Sequence, residues 1–134
     1  MQRECGRLFH YTVETKKTLD EAVKALEESL KIHNFGILWN LDIPSTLQGK
    51  GVDFSQPYRV LEVCNPSKAK EVLGQNSLVG YFLPCKIVVY EDHGTIKIGF
   101  PRPSMLMEVI QDPSLKAIAE EVEQTLVAAV NEAM

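Results

Sequence analysis

Apolar positions alternate most clearly in two places along the chain. From Val79 to Phe100 two segments rich in β-branched and aromatic residues flank Asp92-His93-Gly94, and the whole stretch reads as a β-hairpin. A two-residue His93-Gly94 turn sets Val89 against Ile98, Ile87 against Phe100 and Tyr90 against Lys97. Ile87, Val89, Ile96, Ile98 and Phe100 then share one apolar face. A three-residue turn would oppose Val89 to Lys97 and break that face, so the shorter turn is predicted and the hairpin is expected to lie centrally in the sheet. The second alternation runs from Phe35 to Ile43, with Phe35, Ile37, Trp39, Leu41 and Ile43 on one face and Gly36, Asn40 and Asp42 on the other.

The remaining elements follow from their punctuation. Leu8 to Glu14 alternates with Phe9, Tyr11 and Val13 on one side and predicts the first strand. Thr18 and Glu21 have the spacing of a capping box, and Leu19, Ala22, Val23, Leu26 and Leu30 continue at helical spacing to a left-handed stop at Asn34. Pro44 ends the Phe35–Ile43 strand, and Ser45 is read as the cap of a short helix over Thr46-Leu47-Gln48. Tyr58 to Cys64 is a third strand. Asn65-Pro66 opens a helix that Gly74 closes, Asn as cap and Pro in the first turn where no donor is needed. Ser104 to Ile110 reads as an apolar turn of helix or a loop. Asp112-Pro113 opens the last helix, whose stripe is Leu115, Ile118, Ala119, Val122, Leu126, Ala129, Val130 and Ala133.

These elements predict an α+β fold, a two-layer sandwich in the order β-α-β-short α-β-α-β-β-α. A mixed sheet of about five strands carries its helices on one face. The first strand, helix and second strand suggest a right-handed crossover and a parallel pair. Residues 1–7 are polar and unpatterned and read as a flexible tail, leaving 8–134 as a single domain.

Composition narrows the function classes. A length of 134 residues suffices for a core without metals or disulfides, and a net charge of −4 offers no attraction to nucleic acid or an anionic membrane. The basic residues are scattered and do not interleave with aromatics, so no nucleic-acid partner is expected. No segment approaches the roughly 18 apolar residues of a membrane span, and the first residues lack a secretory signal, so a cytoplasmic location is the expectation. Three cysteines, with no export signal, suggest free thiols.

Candidate chemistry gathers at two cysteines. Cys64 stands just before the cap of the Asn65-Pro66 helix, where free N–H groups and the helix dipole favour negative charge and a thiolate. Cys85, after Pro84, alternates in phase with Ile87 and Val89 and is expected to point into the core. A packed, inert thiol is the commoner use of cysteine and is the simpler reading of both. Tyr58, Val60 and Cys64 share one face of their strand and Leu61 and Val63 the other, so the direction of Cys64 is open. His10, His33 and His93 are dispersed, and solvated or capping roles suit them. Gly49-Lys50-Gly51 lacks the spacing of a phosphate loop. Met105, Leu106 and Met107 suit a ligand mouth or a partner surface, with core filling the simpler use.

Phe35-Gly36 with Asp42, Thr46-Leu47, Lys50-Gly51, Cys64-Asn65-Pro66, and Gly80 followed by Leu83-Pro84-Cys85 and Val88-Val89 together resemble the domain of unknown function 302 family. The resemblance runs from about Leu8 to the C-terminus. It departs from the family's second signature at Lys86, where Asn is usual. It implies a compact α+β domain, with Cys64, Asn65, Pro66, Pro84 and Cys85 as a candidate pocket, and it implies no reaction or cofactor.

The expected function is a small-ligand binding module, for an anion or a soft metal, with its pocket near Cys64-Asn65-Pro66 and Pro84-Cys85. Two alternatives stand beside it. One is a cysteine-dependent enzyme or redox protein, with Cys64 the only catalytic candidate and Cys85 resolving. The other is a homo-oligomeric interaction domain, its homodimer suggested by the Met105–Met107 segment.

Overall fold

A computed structural model describes residues 8–134, so the tail assigned to residues 1–7, which includes Cys5, lies outside the described residues. In chain order the elements are β1 (His10–Thr15), α1 (Leu19–Ile32), β2 (Gly36–Asp42), α2 (Ile43–Gln48), β3 (Tyr58–Cys64) and α3 (Pro66–Gln75). A 3₁₀ helix (Ser77–Phe82) leads into β4 (Cys85–Asp92) and β5 (Thr95–Pro101). Then come α4 (Pro103–Ile110), a 3₁₀ turn (Pro113–Leu115) and α5 (Lys116–Ala133).

The five strands form one sheet in the order β1-β5-β4-β3-β2, every neighbouring pair antiparallel. The expected α+β layering is present, but the mixed sheet with a parallel β1–β2 pair is not. With three strands between them β1 and β2 do run in the same direction, as strand-helix-strand order requires. They occupy opposite edges because α1 carries the chain across the width of the sheet, and the later strands fill the gap.

The β4–β5 hairpin has the expected register, with Val89 opposite Ile98 and Tyr90 opposite Lys97. Its tight turn is possible because His93 and Gly94 both adopt positive φ, 51° and 83°. The strand begins later than predicted. Residues 79–82 belong to the 3₁₀ helix, whose cap is Asn76: its side chain accepts from the Leu78 N–H at 2.9 Å.

Along β2 the alternation breaks at a bulge between Ile37 and Trp39. Ile37 still reaches the core, but Trp39 lies opposite Glu62 and is 54% exposed, and Leu38 is 63% exposed. One extra residue shifts every later side chain to the other face. The following helix also starts earlier than expected. Asp42, not Ser45, is its cap, accepting from the Ser45 N–H at 3.1 Å, and Pro44 sits in its first turn.

One face of the sheet supplies Leu61, Val63, Ile87, Val89, Ile98 and Phe100 to a core completed by α1 and α5. Ala22, Val23, Leu26 and Leu30 come from α1, and Leu126, Ala129, Val130 and Ala133 from α5. The Thr18–Glu21 capping box starts α1 and Asn34, at φ 66°, follows its end, both as predicted. Within this layer the Ser29 hydroxyl donates to the Ala129 carbonyl at 2.5 Å, satisfying a buried polar group between the two helices. A second, smaller cluster of Val72, Val79, Leu115 and Ile118 gathers Leu83, Met107, Ile110 and Val122 beside it.

Candidate functional site

A cavity of about 640 Å³ lies between the two apolar clusters. The sheet contributes Val63, Cys64 and Cys85, with Phe35 and Leu38 beside them; α3 contributes Asn65, Ala69 and Val72. The 3₁₀ helix adds Val79 and Tyr81, while Met107 and Val122 come from α4 and α5. All five residues singled out from the sequence are placed around this region, and Cys64, Asn65, Pro84 and Cys85 line the cavity itself. Pro66 is not among the lining residues and serves as the first residue of α3. The Leu83–Pro84 peptide bond is cis.

Local folding explains why the two cysteines line one cavity. Cys64 ends β3, pairing with Gly36, and Cys85 starts β4, pairing with Val63. Both are free thiols and half-buried. Burial pushes the Cys85 thiol up to about 11, and the nearby Cys64 adds to the rise. The direction left open for Cys64 is thus toward the cavity, where the strand gives way to the helix cap.

The start of α3 offers an anion less than its sequence suggests. Pro66 has no N–H, the Lys68 N–H donates to Asn65 Oδ1 at 3.2 Å, and the Ala69 N–H donates to the Asn65 carbonyl at 2.9 Å. Two lysines line the cavity, and both are already engaged. Lys68 Nζ lies 2.8 Å from Glu121 and 3.5 Å from Glu71, and Lys86 Nζ 3.2 Å from Glu62. The hydrogen bond with Glu121 holds the Lys68 amine above its usual pKa, so its charge persists but is shared.

Among the described residues the lining contains no histidine and no carboxylate. His10 meets Thr12 Oγ1 at 2.8 Å in a part-buried contact along β1, while His33 meets Glu132 at 3.1 Å and His93 meets Asp92 at 2.7 Å in exposed ones. Among the described residues no three of His, Cys, Asp and Glu come together as a metal-holding group, and no helix is long and apolar enough to cross a membrane.

The apolar part of the lining was the least visible from the sequence. Leu106 and Met107 had a signal, methionine beside leucine in a short apolar segment, and they do line the cavity. Leu38, an apolar residue in the polar phase of its strand, had a weaker one, and it lies at the bulge. Val72, Val79 and Val122 read simply as core positions.

The sequence model of a protein family described as "Domain of unknown function DUF302" matches residues 11–133. A crystal structure of an uncharacterized conserved protein DUF302 from Bacillus stearothermophilus is 50% identical to this chain. It covers 95% of this chain and 99% of its own, with a TM-score of 0.92. No curated protein matches the chain.

Proposed function

Because the chain belongs to the DUF302 family, whose domain has no known function, we propose a role from its own cavity: it binds a small, predominantly apolar molecule between the sheet and the α3–α4–α5 layer. The observation that carries this reading is the cavity's size together with its hydrocarbon walls. About 640 Å³ falls within the range of small-molecule sites, which are mostly apolar with a few placed polar groups. Asn65, the two thiols and the two lysines are those polar groups here.

The same walls order the narrower expectations. A free anion finds both lysines paired with carboxylates and most first-turn amides of α3 satisfied, so charge on a ligand belongs at the rim and its body inside. A soft metal has the two thiols for anionic ligands and, among the described residues, no third such group beside them. Catalytic turnover through Cys64 would draw on a base within hydrogen-bond reach, and among the described residues the lining supplies neither histidine nor carboxylate, which favours binding over catalysis. Leu106 and Met107, from the segment that suggested a homodimer, line the cavity.

A homologous series of straight-chain alcohols and fatty acids tests the reading by calorimetry and thermal shift. Each methylene buried is worth about 0.8 kcal/mol, or roughly a fourfold gain in affinity, until the cavity is full. Saturable one-to-one binding that strengthens with chain length and then levels supports the proposal, and phosphate alone should leave the melting temperature unchanged. No binding by any member up to its solubility limit would overturn it.

A further inference from the structure

The cavity wall holds two thiols whose chemistry the binding of an apolar molecule does not use. Cys85 is the direct partner of Val63, and Cys64 is the next residue along β3. Direct partners in an antiparallel ladder have Cα atoms roughly 4.5–5.5 Å apart, and one step along the strand adds about 3.4 Å at a right angle. The two cysteine Cα atoms are therefore about 6 Å apart, inside the roughly 4.4–6.8 Å that disulfides span. In an uninterrupted strand, successive side chains would point to opposite faces. The ladder stops at Cys64, however, and Asn65 is already the cap of α3, so both cysteines line the same cavity. The influence of Cys64 on the ionisation of Cys85 agrees with this proximity.

We propose that Cys64 and Cys85 form a dithiol–disulfide couple in the cavity wall, oxidised by low-molecular-weight disulfides that attach first at Cys64. The order follows from the surroundings. Cys85 packs against the main core and its thiolate is scarce at neutral pH, whereas Cys64 sits at the strand end beside the helix cap. The wall also favours the product. A disulfide is neutral and suits hydrocarbon neighbours, while a thiolate or a metal bis-thiolate would hold charge where few groups solvate it.

With oxidised glutathione as the oxidant, the exchange runs in two steps. Cys64 loses its proton to water, and its sulfur attacks one glutathione sulfur. The glutathione S–S bond breaks, a Cys64–glutathione bond forms, and the first glutathione leaves as a thiolate that takes up a proton. Cys85 then loses its proton and attacks the Cys64 sulfur. The mixed bond breaks, the Cys64–Cys85 bond forms, and the second glutathione leaves and is protonated. Two electrons and two protons pass from the protein's thiols to the two glutathione molecules.

The test uses the full chain with Cys5→Ser, which removes the remaining thiol. The protein is held with oxidised glutathione at about pH 8, near the ordinary thiol pKa. The exchange is stopped with acid, residual thiols are alkylated with iodoacetamide after unfolding in urea, and the protein is digested without reductant for mass spectrometry. The expected result is a linked Cys64–Cys85 peptide pair that excess reduced glutathione reverses. Cys85→Ser should halt with glutathione on Cys64, and Cys64→Ser should leave Cys85 unmodified over the same time. Cys85→Ala replaces the serine variant if its melting curve shows that serine does not fold in that wall. The proposal is overturned if both thiols stay alkylatable, if glutathione persists on Cys64 while Cys85 is present, or if the link appears only in denaturant. The readout is covalent and needs no ligand, so its failure is separate from failure of the binding proposal.

Discussion

Cys85 lies directly opposite Val63 on the apolar side of the sheet, where Val63 is fully buried and Cys85 packs against the main core. Burial there holds the thiol protonated, raising its pKa from 9.0 to about 11. A group whose folded pKa is raised adds stability that is fully present below its unfolded pKa and is lost as pH rises through the folded value. The difference in stability between the wild type and Cys85→Ala should therefore narrow between about pH 9 and 11, followed by urea unfolding at each pH. Alkylation of Cys85 in the folded protein should accelerate over the same interval.

Gly99 of β5 faces Thr12 of β1, and a Cβ placed on it would stand 2.6 Å from Thr12 Oγ1 and 3.1 Å from the Tyr11 carbonyl. Thr12 Oγ1 is also tied to His10 Nδ1 at 2.8 Å, which limits its retreat. Gly99→Ala should cost about 1–3 kcal/mol through overpacking. Thr12→Ala should recover part of this in a double-mutant cycle, because it removes the closest atom but leaves the backbone carbonyl. Chemical denaturation of the four proteins measures the coupling.

Glu123 on α5 anchors the start of α4. Its Oε1 accepts from the Ser104 N–H at 3.0 Å and the Ser104 hydroxyl at 2.5 Å, and its Oε2 accepts from Arg102 Nε at 2.9 Å. Burial works to raise its pKa, but the two Ser104 donors and the Arg102 guanidinium outweigh it and hold the carboxyl below its usual value. The linked stability is present above the ordinary carboxylate pKa and is lost as pH falls through the lower folded value. Glu123→Gln should lower stability by about 1–3 kcal/mol at neutral pH and flatten the acid limb of the profile. Urea midpoints of both proteins across that limb give the comparison.

Asn65 borders the cavity, and its side chain caps α3. Asn65→Ala should cost about 1 kcal/mol, while Asn65→Asp retains the cap. If the residue acts only as a cap, the Asp variant keeps both the melting temperature and the affinity for the best straight-chain ligand. A loss of affinity in the Asp variant at unchanged stability would instead assign the amide a direct ligand contact.

Leu38 reaches the cavity from an exposed position on β2. Leu38→Glu should therefore leave the melting temperature within a few degrees of the wild type, as a surface substitution changes stability by about 0.5 kcal/mol or less. It should weaken binding of an apolar chain about tenfold or more, the loss expected for roughly two buried methylenes and an added charge. Calorimetric titration of both proteins decides it.

The sequence made local geometry legible wherever one periodicity ran unbroken. Val89 could be set against Ile98 because any other register exposes apolar side chains, and Thr18 with Glu21 announced a helix start through a single backbone exchange. Adjacency in the sheet was harder, since strand-helix-strand order determines the relative direction of β1 and β2 but not how many strands later enter between them. The bulge before Trp39 left only an ambiguous trace, the three successive apolar residues Ile37-Leu38-Trp39, which fit a strand covered on both faces equally well. At the site, the cysteine signatures pointed to residues that line one cavity. The hydrocarbon that dominates it comes from strands and helices far apart in the chain, and only tertiary packing assembles valines and leucines of that kind.

The split interior bears on how the proposed guest would get in. The principal contacts of α3, the 3₁₀ helix and α4 are with one another and with the carboxyl-terminal helix, while the hairpin is zipped to strands on both sides. That arrangement lets the smaller cluster loosen as a subglobal unit while the larger one stays closed. Admission then becomes a matter of breathing, and amide exchange in α3 should outpace that of β4 and slow once the interior is occupied.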